Sequence, residues 1–349
     1  PESEEVRGLM SHPNRKRAGA VLPGKVFQTH FEQIKDADPL SYEFLELCAF
    51  LNPDCIPAGF LEFCLKKKNS NKRKEEILKT LCDSSVMRFD KVKEILSLHH
   101  LQQKILKMIV NQEKYIEAIH LLAKWSENFN SNRQDSWKIG AGCFLQIDEL
   151  EKCPFWEKVG SIEKAQILSQ SGAWVMKIKG GGIQALELHK KALVLRRKEF
   201  GEEHPDVATS LNNVGSTFRD LGKYEEALKY QMEALELNKK LLGSEHPNVA
   251  LNLNNIGSTF RDLDKYEEAL KFLMEALALR KKLLGSEHPD VAQSLNNVGT
   301  IFGELGKHEE ALKYKMEAFK IFNKIFKEDH PFMQIVLKNL ETTQLKLKA

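Results

Sequence analysis

Nothing in this 349-residue chain is long and apolar enough to cross a membrane, and its first residues lack a charged-then-apolar signal pattern. Charge of one sign is missing too. The 52 Lys and Arg nearly balance 49 Asp and Glu, which gives no reason to expect nucleic acid as a partner. Cysteine is scarce: Cys48, Cys55, Cys64, Cys82, Cys143 and Cys153 form no Cys-x-x-Cys, and none falls between His204 and Pro331. Most lie on apolar stretches, which suits buried free thiols in a reducing cytoplasm better than a disulfide framework. No Gly-x-x-x-x-Gly-Lys-(Ser/Thr) is present, and Gly180-Gly-Gly182 lacks the Lys that a phosphate-cradling loop needs. No Ser/His/Asp or Cys/His arrangement stands out. The chain therefore reads as non-catalytic, with no cofactor and no metal. It begins at Pro1 rather than Met, so it is read as a fragment or processed product of something longer.

What is abundant is repetition. Leu211-Asn-Asn-Val-Gly-Ser-Thr-Phe-Arg-Asp-Leu-Gly222 returns as Leu253-Asn-Asn-Ile-Gly-Ser-Thr-Phe-Arg-Asp-Leu-Asp264 and again as Leu295-Asn-Asn-Val-Gly-Thr-Ile-Phe-Gly-Glu-Leu-Gly306. His-Pro pairs stand at His204, His246, His288 and His330, 42 residues apart each time. A strict period of this kind means stacked units that share a core.

Within one unit, Pro205 suits a first helical turn and Asp206 suits its positive end. Leu211, Val214, Gly215 and Phe218 fall at i, i+3, i+4 and i+7, one helical face. Gly222 supplies the stop. A second helix runs from Lys223 to about Leu241, with Tyr224, Ala227, Leu228, Ala234 and Leu235 inward. Gly215 and Ala227 are small where two helices approach closely. The pattern fades at both ends. A degenerate unit is read over 160–202, around Gly172, Ala185 and Ala192, and a capping helix over 331–349.

The spacing of Gly215, Tyr224, Ala227 and Ala234 resembles a tetratricopeptide repeat (TPR). The His-Pro start, paired Asn and Gly-Lys-Tyr-Glu-Glu-Ala turn are similar to the repeats of kinesin light chains. The resemblance implies an all-α fold. Its core would be a right-handed superhelix of 42-residue hairpins whose first helices line a concave groove that holds a peptide.

The N-terminal part is aperiodic. Residues 1–25 read as a linker or domain fragment. Between Val26 and Gln112 the pattern gives helices at Val26–Ile34, from Pro39 to Leu51, from Ile56-Pro57 to Leu65, at Glu76–Leu81 and, closing the unit, at Leu101–Ile109, with strands at Ser85–Phe89 and Ile95–Leu98 forming a two-stranded wing. Ile56-Pro57 is read as the start of a helix. Residues 113–159 read as a helical arm, and the basic run Lys66–Lys74 as an exposed loop.

Leu45-Glu-Leu-Cys-Ala-Phe-Leu-Asn-Pro-Asp-Cys-Ile-Pro57, followed by Leu96-Ser-Leu-His-His-Leu-Gln-Gln-Lys-Ile105, resembles the winged-helix part of NB-ARC signalling ATPases. That resemblance implies that the chain is the C-terminal sensor part of such an ATPase, and that it oligomerises when the larger protein is present. Leu98-His99-His100 stands where the family has a Met-His-Asp-like motif, with His100 replacing Asp. His99 would then sense the diphosphate of bound ADP; the plain alternative is a His that caps or lines a helix start. The other reading of the whole chain is a kinesin-light-chain-like cargo adaptor, which calls for an N-terminal heptad coiled coil that this sequence does not contain.

The sharpest candidate site lies on the first helices. Asn212, Asn213, Asn254, Asn255, Asn296 and Asn297 recur opposite the apolar face, although Asn is a weak helix former. Two readings stand: the amides bind the backbone of an extended peptide, or they bond neighbouring repeats to each other. Lys338 and Asn339 follow at the next equivalent positions. Arg219, Arg261 and Lys338 would favour an acidic ligand or a terminal carboxylate. The expected partner is a peptide or protein. The four repeated His invite a metal reading, but each begins a different hairpin and they are too far apart to share an ion.

Overall fold

The computed structural model describes residues 23–67, 74–130, 136–177, 181–325, 337–338 and 340–344. The basic run at 68–73, most of the segment read as a linker, His330, Asn339 and most of the capping helix lie outside the described residues. The chain divides into two compact units, 1–195 and 196–349.

The first unit begins with α1 (Pro23–Ala37) and α2 (Pro39–Cys48). Asp38 caps α2 by accepting from the Ser41 amide, and Pro39 occupies the first turn, as the sequence requires. β1 (Ile56–Pro57), α3 (Ala58–Lys67) and α4 (Lys74–Asp83) follow. Next come β2 (Met87–Asp90), β3 (Ile95–Leu98) and α5 (His100–Ile109).

The sheet has three strands where the sequence suggests two. β2 and β3 pair antiparallel with Met87 opposite Leu98, and β1 adds to the other edge of β3 with Ile56 opposite Leu96. Ile56-Pro57 is thus a strand and not the helix start read from sequence, with α3 beginning one residue later. Two residues are too few for a period to show, and Pro57 is tolerated because it sits on an edge strand.

α6 (Gln112–Ser126), α7 (Trp137–Glu151), a 3-10 turn at Trp156–Lys158, α8 (Ser161–Val175) and α9 (Gly182–Phe200) complete the run. The apolar core that starts at Phe31 continues without a break through Ala192. Tyr115 on α6 is its centre. Its ring meets Phe50 edge-on at 5.1 Å and Phe155 at 6.0 Å, and its hydroxyl donates to the Leu150 carbonyl at 2.9 Å. Gln146 on α7 fastens the loop before β1, accepting from the Asn52 amide and donating to the Cys55 carbonyl. These bonds tie the loop before β1 to α7. Cys48, Cys64 and Cys143 are buried and form no disulfide, and burial raises the pKa of Cys48 and Cys143.

α8 and α9 form a degenerate hairpin. A Cβ on Gly172 would stand 2.6 Å from the His189 ring, so the two helices touch through the missing side chain.

The second unit contains three hairpins: α10 (Pro205–Asp220) with α11 (Tyr224–Leu242), α12 (Pro247–Asp262) with α13 (Tyr266–Leu284), and α14 (Pro289–Glu304) with α15 (His308–Ile325). His204, His246 and His288 are N-caps, each Nδ1 accepting the amide two residues on. Leu211, Val214 and Phe218 are buried with Gly215, as the period dictates. Gly215, Gly257 and Gly299 lie against Ala227, Ala269 and Ala311; an added Cβ would stand 3.1 Å from each of those backbone carbonyls. Parallel rings close each hairpin near its turn: Phe218–Tyr230, Phe260–Phe272 and Phe302–Tyr314, all 5.3–5.4 Å apart.

Periodic ion pairs brace the two ends of each hairpin and join it to the next. Lys240, Lys282 and Lys324 pair with Glu203, Glu245 and Glu287. Arg197, Lys239 and Lys281 pair with Glu233, Glu275 and Glu317. These pairs are partly exposed and individually weak.

Deeper, one polar contact crosses each junction at a spacing of 14 residues. Arg196 donates to Ser210 Oγ, Asn238 to Asn252 Oδ1, and Arg280 to Ser294 Oγ, at 2.7–2.8 Å. Burial lowers both guanidinium pKa values, opposed by Asp206 and Asp290. The middle junction exchanges the whole set: Asn238, Asn248 and Asn252 stand where the other two have Arg, Asp and Ser. A similar exchange occurs 28 residues apart. Gln231 accepts from Thr259 and Lys315 donates to Thr343, while Leu273 stands where Ile301 replaces the Thr. Polar meets polar and apolar meets apolar, because an unmatched buried polar group costs about 1–3 kcal/mol.

Two substitutions test this packing. Gly257→Ala should destabilise the chain by about 1–3 kcal/mol through overpacking against Leu273 and the Ala269 carbonyl. Asp264 holds the left-handed turn position, φ +58°, that Gly222 and Gly306 hold in the sister repeats. Asp264→Gly should therefore raise stability by up to about 1 kcal/mol. Urea melts read both, and unchanged midpoints would contradict the packing described.

Candidate functional site

The repeated Asn residues come together as rungs between first helices. Asn255 Nδ2 donates to Asn212 Oδ1 at 3.0 Å, and Asn297 Nδ2 donates to Asn254 Oδ1 at 3.1 Å. The first Asn of one pair accepts from the second Asn of the next repeat, 43 residues on. Asn252 also donates to Asn212, which links the first rung to the junction below it. Asn296 Oδ1 is buried and has no partner among the described residues. Asn339 lies outside them.

Stacking changes the exposure that a single hairpin suggests. Asn254, read from sequence on the open face, and Ser258, one turn further along the same helix, are each only 7% exposed. Helix periodicity reports which residues face the partner helix of the same hairpin. It does not report that the first helix of the next repeat covers the flank. Asn213, Asn255 and Asn297 are half-buried, at the same position in three successive repeats.

The arginines are similarly engaged. Arg261 binds Asp262 through Nε and Nη2 at 2.9 and 2.7 Å, and Arg219 Nε approaches the other Asp262 oxygen at 3.6 Å. Arg219 also reaches Asp220. One carboxylate thus stands between the two guanidiniums, and their free positive charge is smaller than the sequence reading assumed. The Arg-Asp pairs at 219–220 and 261–262 were the available signal. The third repeat has Gly303-Glu304 instead, so the row ends without a cation there. Lys338 is exposed on a helical turn.

His99 lies in the first unit. Its Nδ1 accepts from the Leu101 amide at 3.2 Å, so it is the N-cap of α5. An accepting Nδ1 leaves the ring proton on Nε2. His100 Nε2 lies 3.3 Å from Asp54 Oδ2. Both His face a recess of about 320 Å3 together with Arg88, Ser97 and Gln102. Among the described residues no group of three or more His, Cys, Asp and Glu could hold a metal ion, and no helix is long and apolar enough to cross a membrane.

Residues 163–240, 208–282 and 248–324 match the family model described as tetratricopeptide repeat. The first match begins inside the degenerate hairpin. Among solved structures, the nearly identical TPR-like repeats assigned to a kinesin light chain of Podosopora anserina are 20% identical, with a TM-score of 0.45, covering 52% of this chain and 85% of that one. BtubC (BKLC) from P. vanneervenii is 25% identical with a TM-score of 0.48, covering 61% of this chain and 82% of that one. No curated protein matches. Both structural scores are below 0.5, so the assignment of tandem TPR hairpins rests on the family match, the 42-residue period and the glycine contacts.

The rung should show itself as coupling. In a double-mutant cycle, Asn212→Ala and Asn255→Ala should each lower stability and should couple by about 1 kcal/mol. Additive effects in chemical denaturation would mean that the rung carries no energy.

Proposed function

We propose that the chain is a non-catalytic scaffold that binds an extended peptide or partner segment along its first helices. One observation carries this reading. Asn213, Asn255 and Asn297 repeat at a half-buried position along the stack. An amide has two N–H donors and a carbonyl, and each rung uses one N–H of Asn255 or Asn297. A side chain held by one bond is fixed in orientation, and fixing it beforehand lowers the entropy lost on binding. The two sequence readings of the Asn pairs are then compatible. Asn212 and Asn254 hold the neighbouring amide, and that amide meets the ligand. The family match supports the same reading, since tetratricopeptide repeats generally bind peptides or proteins.

Acidic ligand residues would engage Arg219 and Arg261 in competition with Asp262. We also place the chain as the sensor part of an NB-ARC-type signalling ATPase. The supports are the β2–β3 wing and the position of His99 at the start of α5. In such a protein the His99 Nε2 proton and the Arg88 guanidinium would be the donors available to a diphosphate.

A display-selected acidic peptide, labelled and titrated by fluorescence polarisation, tests the scaffold reading. Asn213→Ala should weaken binding by about 1 kcal/mol, roughly fivefold. Asp262→Asn should strengthen binding of the same peptide, more so at low salt. Unaltered affinity in both folded variants would overturn the assignment to the first helices. Separately, calorimetry with ADP should show at most weak binding, which His99→Ala abolishes; tight binding that survives the substitution would remove His99 from the account.

A further inference from the structure

A second recess lies where α12, α13 and α14 meet. Its volume is about 200 Å3, and Pro247, Asn248, Leu251, Arg280, Leu284 and Asp290 face it. Arg280 is only 6% exposed. Its Nη1 donates to Ser294 Oγ at 2.8 Å and to the Asp290 carbonyl at 3.0 Å, both neutral acceptors. Among the described residues no carboxylate pairs with this guanidinium. The Asp290 carboxylate is half-exposed and lies 3.8 Å from His288 Nδ1. A guanidinium does not discard its charge by deprotonation, so α13 carries a buried cation that no carboxylate contacts and that Asp290 offsets only through space, an expensive arrangement. Nε and Nη2 keep three further N–H donors, on an edge suited to a two-pronged carboxylate.

The walls are apolar. Leu251 and Leu284 are 43% and 39% exposed, unusual for Leu in these hairpins. Thr209 and Gln293 occupy the Leu251 position in the sister repeats. The junction before this one has Asn238 in place of Arg280. Leucine walls and a buried cation without a contacting carboxylate therefore coincide at this junction and not at the one before it.

We propose that this recess binds the C-terminal residue of a partner peptide ending in an apolar side chain, with the terminal carboxylate on Arg280 and the side chain between Leu251 and Leu284. The size supports one residue: drug-sized ligands occupy roughly 300–1,000 Å3. An Asp or Glu side chain would bring the carboxylate without an apolar body, whereas a C-terminal Leu brings both on one residue. Asn248 lines the same recess, and its side-chain amide supplies a further N–H donor there. Asp290 at the rim disfavours a second negative charge beside the first. This site is independent of the first-helix row, and its preference for a single charge differs from the acidic preference proposed there.

The experiment uses fluorescein-labelled Ser-Gly-Ser-Gly-Leu with a free carboxylate, the same peptide as its amide, and an amidated Ser-Gly-Ser-Gly-Asp, titrated against the full chain. The free acid should bind at least tenfold more tightly than either amidated peptide. The combined variant Arg280→Asn, Asp290→Asn, Ser294→Asn reproduces the set found at the middle junction, so it should fold while losing at least tenfold in affinity. Leu251→Thr, at an exposed position, should weaken the free acid several-fold and decides the matter if the combined variant unfolds. Equal binding of acid and amide, no binding of the acid at millimolar concentration, or full binding by either folded variant would overturn the proposal. Equal binding of the Asp peptide would overturn the assignment to a C-terminal residue.

Discussion

The second unit depends on a close approach of two helices at one small residue. Gly215, Gly257 and Gly299 let the first helix of each hairpin rest on the backbone of the second, with Ala227, Ala269 and Ala311 opposite. Because a hairpin so formed still exposes an apolar flank, it must stack on a copy of itself. The other periodic features serve that stack. The ion pairs at the surface, the Arg–Ser and Asn–Asn contacts at the junctions, and the Asn rungs along the first helices all join residue sets at fixed spacings. Stability in such an array is set between nearest neighbours, so damage at one junction is felt locally before it is felt globally.

Sequence periodicity revealed one side of each helix well. Leu211, Val214, Gly215 and Phe218 are buried because the period of 3.6 records the face toward the partner helix. It did not reveal Asn254 and Ser258, which a neighbouring repeat covers. That burial depends on how hairpins stack, a geometry set by contacts between repeats. The junction sets could have been found without coordinates. Aligning the repeats against one another shows Arg280, Asp290 and Ser294 exchanging together for Asn238, Asn248 and Asn252, and a joint exchange of buried polar residues indicates contact. In the first unit the helices and the β2–β3 wing followed from pattern and turn chemistry. β1 escaped, since a two-residue strand ending in Pro57 carries no alternation to read.

The candidate site was partly legible. The repetition of the Asn row was legible, and of its two open readings the bonds between neighbouring repeats are the one the coordinates display. The electrostatics were overestimated, because Asp262 answers both Arg219 and Arg261. His99 follows the same pattern: a residue singled out for ligand chemistry first does a local task, here capping α5. In each case the local hydrogen bond fixes the side chain, and fixed side chains are the ones best suited to recognise something else.

The central claim is that the rungs orient Asn amides that a bound peptide then contacts. Side-chain amide resonances of Asn213, Asn255 and Asn297, followed by NMR during titration with a display-selected peptide, test it most directly. The account predicts that all three shift together and saturate at the same peptide concentration, while buried Asn238 and Asn252 stay in place. Shifts confined to residues outside the first helices, with these three amides unmoved at saturation, would contradict it.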